Sequence, residues 1–384
     1  MAPANDRPEA GKPQGERFGA TLSARFSVRG EVSNYERNSA WGLFARSSRR
    51  QKGQIERNII VGSAAAPTFP CSEGEVMLDV INTIVPVFIV ILLGCFLRAK
   101  ELLPTPIVGP LNRLVFYLAI PAMIFREISR VSFEAYFSTP VLVGVLLPIL
   151  MVFFIGIVLQ RLLRIPPSFS GTFLQSSQHG NLGYIGLAVA YYLLGSEGLT
   201  AASILAGFMM LLQNFLSVLG LQMFYRGPER EHKVWFFLKK VVGNPVVLSA
   251  LAGILFSVFE IPVPTVADRG LKIISDMSLP LALLIIGGSL SFGVIRSNLR
   301  LAVSAGILKL LLLPALGLLF YAVLRVPSSQ FLPGLILLGC PTATVTYVMA
   351  SEMQGSTELA SAAVTMNTLA SCLTFIFWLS FFVQ

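Results

Sequence analysis

Ser176-Ser177-Gln178-His179-Gly180-Asn181-Leu182-Gly183-Tyr184-Ile185-Gly186 is a polar, glycine-broken run inside an apolar stretch. An uninterrupted spanning helix does not carry three glycines, an amide pair and a histidine through hydrocarbon, because their polar groups find no partner there. The piece must face protein or a water-filled cavity, and it reads as half of a binding site. Gly339-Cys340-Pro341-Thr342-Ala343-Thr344-Val345-Thr346, in a similar apolar setting far along the chain, reads as the other half.

The surrounding composition is that of a membrane protein. Hydrophobic residues fill 54% of 384 positions and charged residues 13%, with a mean hydropathy of +0.72, outside the range of soluble globular chains. The net charge of +9 therefore sets topology; no basic patch with interleaved aromatics stands in a polar domain, which argues against nucleic acid. Cys71, Cys95, Cys340 and Cys372 show no CxxC spacing, so neither a disulfide framework nor a metal site is expected. With no GxSxG, HExxH or Walker loop, and only His179 and His232 for acid–base work, the chain is not expected to be an enzyme or to hold a cofactor. Transport without a nucleotide-binding domain is secondary or facilitative.

Residues 1–76 hold eleven Lys/Arg and eight Asp/Glu among many Ser, Gly, Pro and Asn, and are expected to be a disordered extension. No apolar core of a signal peptide precedes residue 59. Two readings stay open, a native leader or a functional start at Met77. Beyond it, ten apolar stretches of roughly 20 residues each fit as spans. They fall near 79–98, 107–128, 137–160, 168–195, 199–225, 238–260, 265–291, 298–324, 330–353 and 356–383, with Phe375, Phe377 and Trp378 as interfacial or lipid-facing anchors. The joints on one side carry twelve basic residues (Arg98, Lys100, Arg113, Arg161, Arg164, Arg226, Arg230, Lys233, Lys239, Lys240, Arg296 and Arg300), and those on the other five (Arg126, Arg130, Arg269, Lys272 and Arg325). The positive-inside rule puts the first group in the cytoplasm and both termini outside the cell membrane. An Arg-rich leader opposes that placement, which favours Met77 as the start or a leader that is removed.

The two halves resemble each other. Pro86 and Pro245 are 159 residues apart (245 − 86), as are Pro121 and Pro280, and Gly180 and Gly339. Leu163-Arg164-Ile165-Pro166 matches Leu324-Arg325-Val326-Pro327 at 161, and Gly195 with Leu199 matches Gly355 with Leu359 at 160. Residues 77–226 form a first five-helix repeat, 227–237 a short cytoplasmic linker and 238–384 a second repeat. Five is odd, so the second copy enters the membrane from the opposite side, the usual construction of secondary transporters. The expected fold is an all-α integral membrane protein of ten transmembrane helices in a 5+5 inverted repeat.

The fourth and ninth helices are expected to be broken, at Gly180, Asn181 and Gly183 and at Pro341, and to present half-helix N-termini near Leu182 and Thr342. Gln178, His179, Gly180, Asn181, Gly183, Pro341, Thr342 and Thr344 are the candidate substrate-binding residues, together with Lys309 in Ile307-Leu308-Lys309-Leu310-Leu311. A lysine within a span costs about 2.5 kcal/mol or more unless paired or hydrated. Lys309 reads either as an anion-attracting or proton-linked group or as a snorkelling side chain. His179 reads as a hydrogen-bonding group before a proton carrier, Asp276 as an interfacial cap before a coupling-ion carboxylate, and Gln213, Asn214, Thr365, Asn367 and Thr368 as interhelical hydrogen bonders.

On these residues the chain resembles the auxin efflux carrier (AEC) family, bacterial branch. The likeness is carried by Ile84-Val85-Pro86-Val87-Phe88 through Gly94, Leu111-Asn112-Arg113-Leu114-Val115-Phe116-Tyr117 through Pro121, Gly180 through Gly186, Asn244-Pro245, and Ser278-Leu279-Pro280-Leu281 through Leu290. The resemblance implies a scaffold of spans 1, 2, 6 and 7, a mobile unit of spans 3–5 and 8–10 with crossed fourth and ninth helices, and a homodimer. It also implies a small organic anion such as malonate as substrate, with proton or Na+ coupling open. The short joint at Gly227 to Val234 differs from the long loop of plant members, and the Asn-Gly break departs from their paired prolines, so the plant substrate does not carry over. The expected function is alternating-access transport, with a non-transporting membrane sensor or scaffold of the same fold as the alternative.

Overall fold

The computed structural model describes residues 73–224 and 243–382. The expectations for residues 1–72, the linker 227–237, the start of the sixth span and the last two residues lie outside the described residues.

Among the described residues the regular structure is helical. The order is α1 (Glu73–Ala99), α2 (Thr105–Leu114), a π-helical turn (Val115–Ala119), α3 (Ile120–Ser129), α4 (Phe133–Tyr136), α5 (Thr139–Leu162) and α6 (Pro167–Gln178). There follow a second π-helical turn (Leu182–Gly186), α7 (Leu187–Phe224), α8 (Pro245–Val258), α9 (Thr265–Asp276), α10 (Ser278–Ser289) and α11 (Ile295–Gly306). A third π-helical turn (Ile307–Leu312), α12 (Leu313–Val323), α13 (Ser328–Gly339), α14 (Val345–Glu352) and α15 (Thr357–Leu379) complete it. Among the described residues, seven stretches are long and apolar enough to cross a membrane, and Pro245–Val258 and Ser328–Gly339 are shorter apolar helices. Leu182–Phe224 is 43 residues long, twice what one crossing needs, and Gly195 divides it at φ 70°.

Helix ends follow local chemistry. Proline at the first or second position, where its missing N–H costs nothing, opens α2, α5, α6 and α8. Asn244 caps α8 by accepting Val246 N at 2.9 Å and Val247 N at 3.5 Å. The first and third π-helical turns run just ahead of Pro121 and Pro314, whose rings push away the carbonyl four residues back and widen the ladder there.

Several C-terminal ends close on a residue in the left-handed region: Glu101, Arg164, Glu260, Arg325 and Gln354. At four of them the next amide reaches back a full turn, Ile165 to Gln160 O, Ile261 to Phe256 O, Val326 to Tyr321 O and Gly355 to Ala350 O, satisfying carbonyls the helix leaves free. Glu101 and Glu260 are 159 residues apart, Arg164 and Arg325 161, and Gly195 and Gln354 159, the offsets of the sequence repeat.

Packing joins α1 to α10, α3 to α8 and α9, and α5, α6, α7 and α11 through α15 to one another. The α1–α10 contact is close because glycine removes the side chain on both sides. A Cβ at Gly94 would strike the Leu284 backbone and one at Gly287 the Ile91 backbone, so two helices approach as small-residue membrane pairs do. Arg98 then reaches across to donate to Gly288 O at 2.7 Å and Leu290 O at 2.9 Å, covering the C-terminal end of α10. Replacing Gly287 by Leu should destabilise the protein by about 1–3 kcal/mol or more, whereas Gly109→Ala, with open space around it, should not. Thermal unfolding in detergent checks this; equal melting temperatures for the two variants would show that the close approach is not required.

Candidate functional site

Helix α6 ends where glycine and asparagine replace helix formers, and α13 ends where proline follows. Residue 340 precedes proline and is held extended (φ −60°, ψ 141°), so α13 stops at Gly339. His179 and Asn181 leave the helical region likewise (φ −82°, ψ 103° and φ −77°, ψ 65°). The two extended pieces run antiparallel and pair through Gly180 and Thr342. Asn181 N donates to Pro341 O at 2.8 Å and Ala343 N to His179 O at 2.9 Å. Each break thus satisfies backbone groups of the other, as hydrocarbon requires.

Beyond the crossing the chains turn helical again at Leu182 and Val345. The second start falls three residues later than Thr342, because Thr342 is held in the bridge and its hydroxyl is engaged. Thr342 Oγ1 donates to Ser176 O at 2.9 Å and accepts from Asn367 Nδ2 at 2.7 Å. The first amides of each new helix have no partner within it. Asn181 O takes the amides of Ile185 and Gly186, and the carbonyls of Ala343 and Thr344 take those of Thr346 and Tyr347. The two helix starts give the crossing positive character, suited to a carboxylate.

Sequence expectations meet the structure unevenly. Gly180, Asn181, Pro341 and Thr342 come together at the crossing, and Gly183 lies one turn beyond, buried. Thr344 stands half-buried at the start of α14. Gln178 and His179 turn instead to α7: Gln178 Nε2 donates to Gln213 O at 3.3 Å and Ser217 Oγ at 3.0 Å, and His179 Nδ1 lies 2.9 Å from Ser217 Oγ. Gln213 Oε1 accepts from Gly180 N at 3.1 Å, which ties the first break to α7. Asn214 only bonds back to Met210 O on its own helix. Asp276 pairs with Lys272 on the exposed end of α9, away from the crossing. Thr365 Oγ1 accepts from Ser291 N at 2.9 Å, joining α15 to the end of α10.

Lys309 does not snorkel. Its side chain is 0% exposed in the third π-helical turn, and Nζ donates to Leu338 O at 2.8 Å, the penultimate carbonyl of α13. A Cβ at Gly180 would stand 3.2 Å from both Cε and Nζ, so the missing side chain there makes room for the ammonium beside the first break.

Around this crossing many buried polar atoms lack a partner: Ser176 Oγ, Gln178 Oε1, Asn181 Nδ2, Gln213 Nε2, Thr346 Oγ1, Asn367 Oδ1 and Thr368 Oγ1. Such groups cost free energy unless water or a ligand meets them. Sequence reading missed Ser217 and the hydrogen bond of Tyr184 OH to Asn112 Oδ1 at 2.6 Å, which links the second π-helical turn to α2. Thr342→Val removes a donor from Ser176 O and an acceptor from Asn367, and should cost about 1–3 kcal/mol. Asn367→Ala should cost a comparable amount, and the double variant less than the two together because they share one bond. Additive losses in thermal unfolding would contradict that coupling.

Known proteins are similar to this chain over about three quarters of its length. A family model described as membrane transport protein matches residues 79–379. A putative malonate transporter of Rhizobium meliloti is 26% identical over 313 residues, covering 78% of this chain and 94% of that relative. Uncharacterized transporters of Methanothermobacter thermautotrophicus and Methanocaldococcus jannaschii are each 24% identical, covering 77% of this chain and 96% and 97% of theirs.

Proposed function

The chain belongs to the membrane transport protein family, that of the auxin efflux carriers, and from this premise we propose that it is a secondary carrier for a small organic anion. It moves the anion across the cell membrane by alternating access of an elevator or rocking type. The observation that carries the reading is the crossing: two broken helices face each other in an apolar interior, with helix starts suited to a carboxylate and buried polar atoms left for a ligand. Asn181 Nδ2, buried without a partner, and the helix start after Thr342 hold the carboxylate, and Gly180, Gly183, Pro341 and Thr344 shape the space around it.

The proposed architecture is ten crossings in two inverted halves, with both termini outside. It is supported by the prolines and glycines at an offset of 159 residues and by left-handed residues recurring at 159 and 161. It is further supported by twelve basic residues on one side against five on the other. In this arrangement α1, α3, α8, α9 and α10 stay in place while the group around the crossing moves. The malonate assignment of the Rhizobium meliloti relative supports an organic-anion substrate.

Counterflow of radiolabelled malonate, pyruvate and related carboxylates into proteoliposomes tests the reading. Saturable exchange is expected for at least one. Asn181→Ala, which removes a charge-assisted hydrogen bond, should lower apparent affinity by at least about tenfold with the elution profile of the purified protein unchanged. Binding of carboxylates without any exchange would point to a sensor of the same fold.

A further inference from the structure

Lys309 stands apart from the other charged groups of the interior. Among the described residues the other buried, formally charged side chain is Arg126, and its guanidinium is paired with Asp268 at 3.1 Å and Glu127 at 3.2 Å. The described ion pairs provide no carboxylate for Lys309. Its hydrogen bond goes to a neutral carbonyl at the C-terminal end of α13, where the helix dipole is negative. An ammonium carries three donors, and one carbonyl leaves charge and hydrogen-bonding capacity unmet in a site without bulk water.

The position is informative as well as the charge. In carriers built from broken helices, the C-terminal ends of half-helices and unwound carbonyls are where a coupling cation is held. Here the end of α13 already has a cation, tethered to the chain. The two half-helix ends differ in this respect. The end of α6 is closed by neutral groups, Thr342 Oγ1 on Ser176 O and Ala343 N on His179 O. Position 148, which the Arg164–Arg325 offset of 161 pairs with Lys309, is proline in α5.

Two local features build this placement. The π-helical turn ahead of Pro314 widens the ladder at Lys309, and Gly180 clears the volume that a side chain would take. Nζ therefore lies against both breaks at once, bonded to the end of α13 and adjacent to the backbone that precedes Asn181. A carboxylate held at the crossing would lie next to this ammonium.

We propose that the Lys309 ammonium is the built-in counter-charge of the transported anion, standing at the end of α13 in place of a coupling metal cation, so that transport runs without Na+ or K+. This rests on the carrier reading. The anion completes the charge balance of the crossing, and the bound unit crosses the apolar interior with the two opposite charges in contact.

The experiment uses the full chain in proteoliposomes, with labelled malonate and pyruvate as probes. Wild-type counterflow should stay within about twofold when Na+ and K+ on both sides are replaced by N-methylglucamine, since a tethered ammonium is not removed by exchange of medium. Lys309→Gln keeps an N–H for Leu338 O while losing the charge, so it separates the charge from the helix cap. It should weaken apparent carboxylate affinity at least about tenfold, the scale of one charged hydrogen bond. Wild-type counterflow that stops when Na+ and K+ are withdrawn overturns the counter-charge while the carrier stands. Unchanged affinity in Lys309→Gln does the same. If Lys309→Gln does not fold, the cation-replacement arm decides alone. A wild type with no saturable exchange of either probe under any ion condition overturns the carrier reading, and this inference with it.

Discussion

Backbone N–H and C=O groups have no water to turn to inside a bilayer, and a helix that breaks there exposes several of them at once. In this protein two breaks meet and answer each other, Asn181 N on Pro341 O and Ala343 N on His179 O. The rest of the core is arranged to allow the meeting. Gly186 has no side chain because a Cβ there would lie 2.8 Å from Cys340 Sγ and from Leu337. Helix α7 supports one break through Gln213 and Ser217, and α15 supports the other through Asn367.

The crossing is symmetric in its backbone and asymmetric in its chemistry. Both breaks donate one amide and accept one, but the first is flanked by amides, a histidine and glycines, and the second by a proline, a cysteine and threonines. One half-helix end is covered by a hydroxyl and the other by an ammonium. The periphery is built on other grounds: glycines let α1 and α10 touch, Arg98 covers the end of α10, and Arg126 of α3 and Arg130 just after it meet Asp268 of α9.

Much of the site was legible because its key residues break a local rule. Pro341 in an apolar stretch, and Gly180 with Asn181 in another, conflict with a continuous helix, and the structure breaks the helices at those places. Legibility ended where the partner was a backbone atom or a side chain distant in sequence. Leu338 O leaves no mark in the sequence, so Lys309 was readable as costly but not as a helix cap. Gln178 and His179 are polar neighbours of the break, yet nothing in their spacing says that they face Ser217 on α7. Positive φ falls at Gly195 and at Gln354, one place before the glycine that the sequence matched to Gly195.

Hydropathy marked the membrane class, proline and glycine sterics the places where helices must stop, and motifs along the chain the family. Only the tertiary structure decided that Thr342 lies on Ser176 O, that Asn367 reaches Thr342, and that the ammonium of Lys309 lies against both breaks. Those are contacts between residues 25 to 166 positions apart. Local sterics act over a few bonds, so they set where the chain bends; the direction of a buried polar side chain depends on which unsatisfied group the folded interior brings within reach.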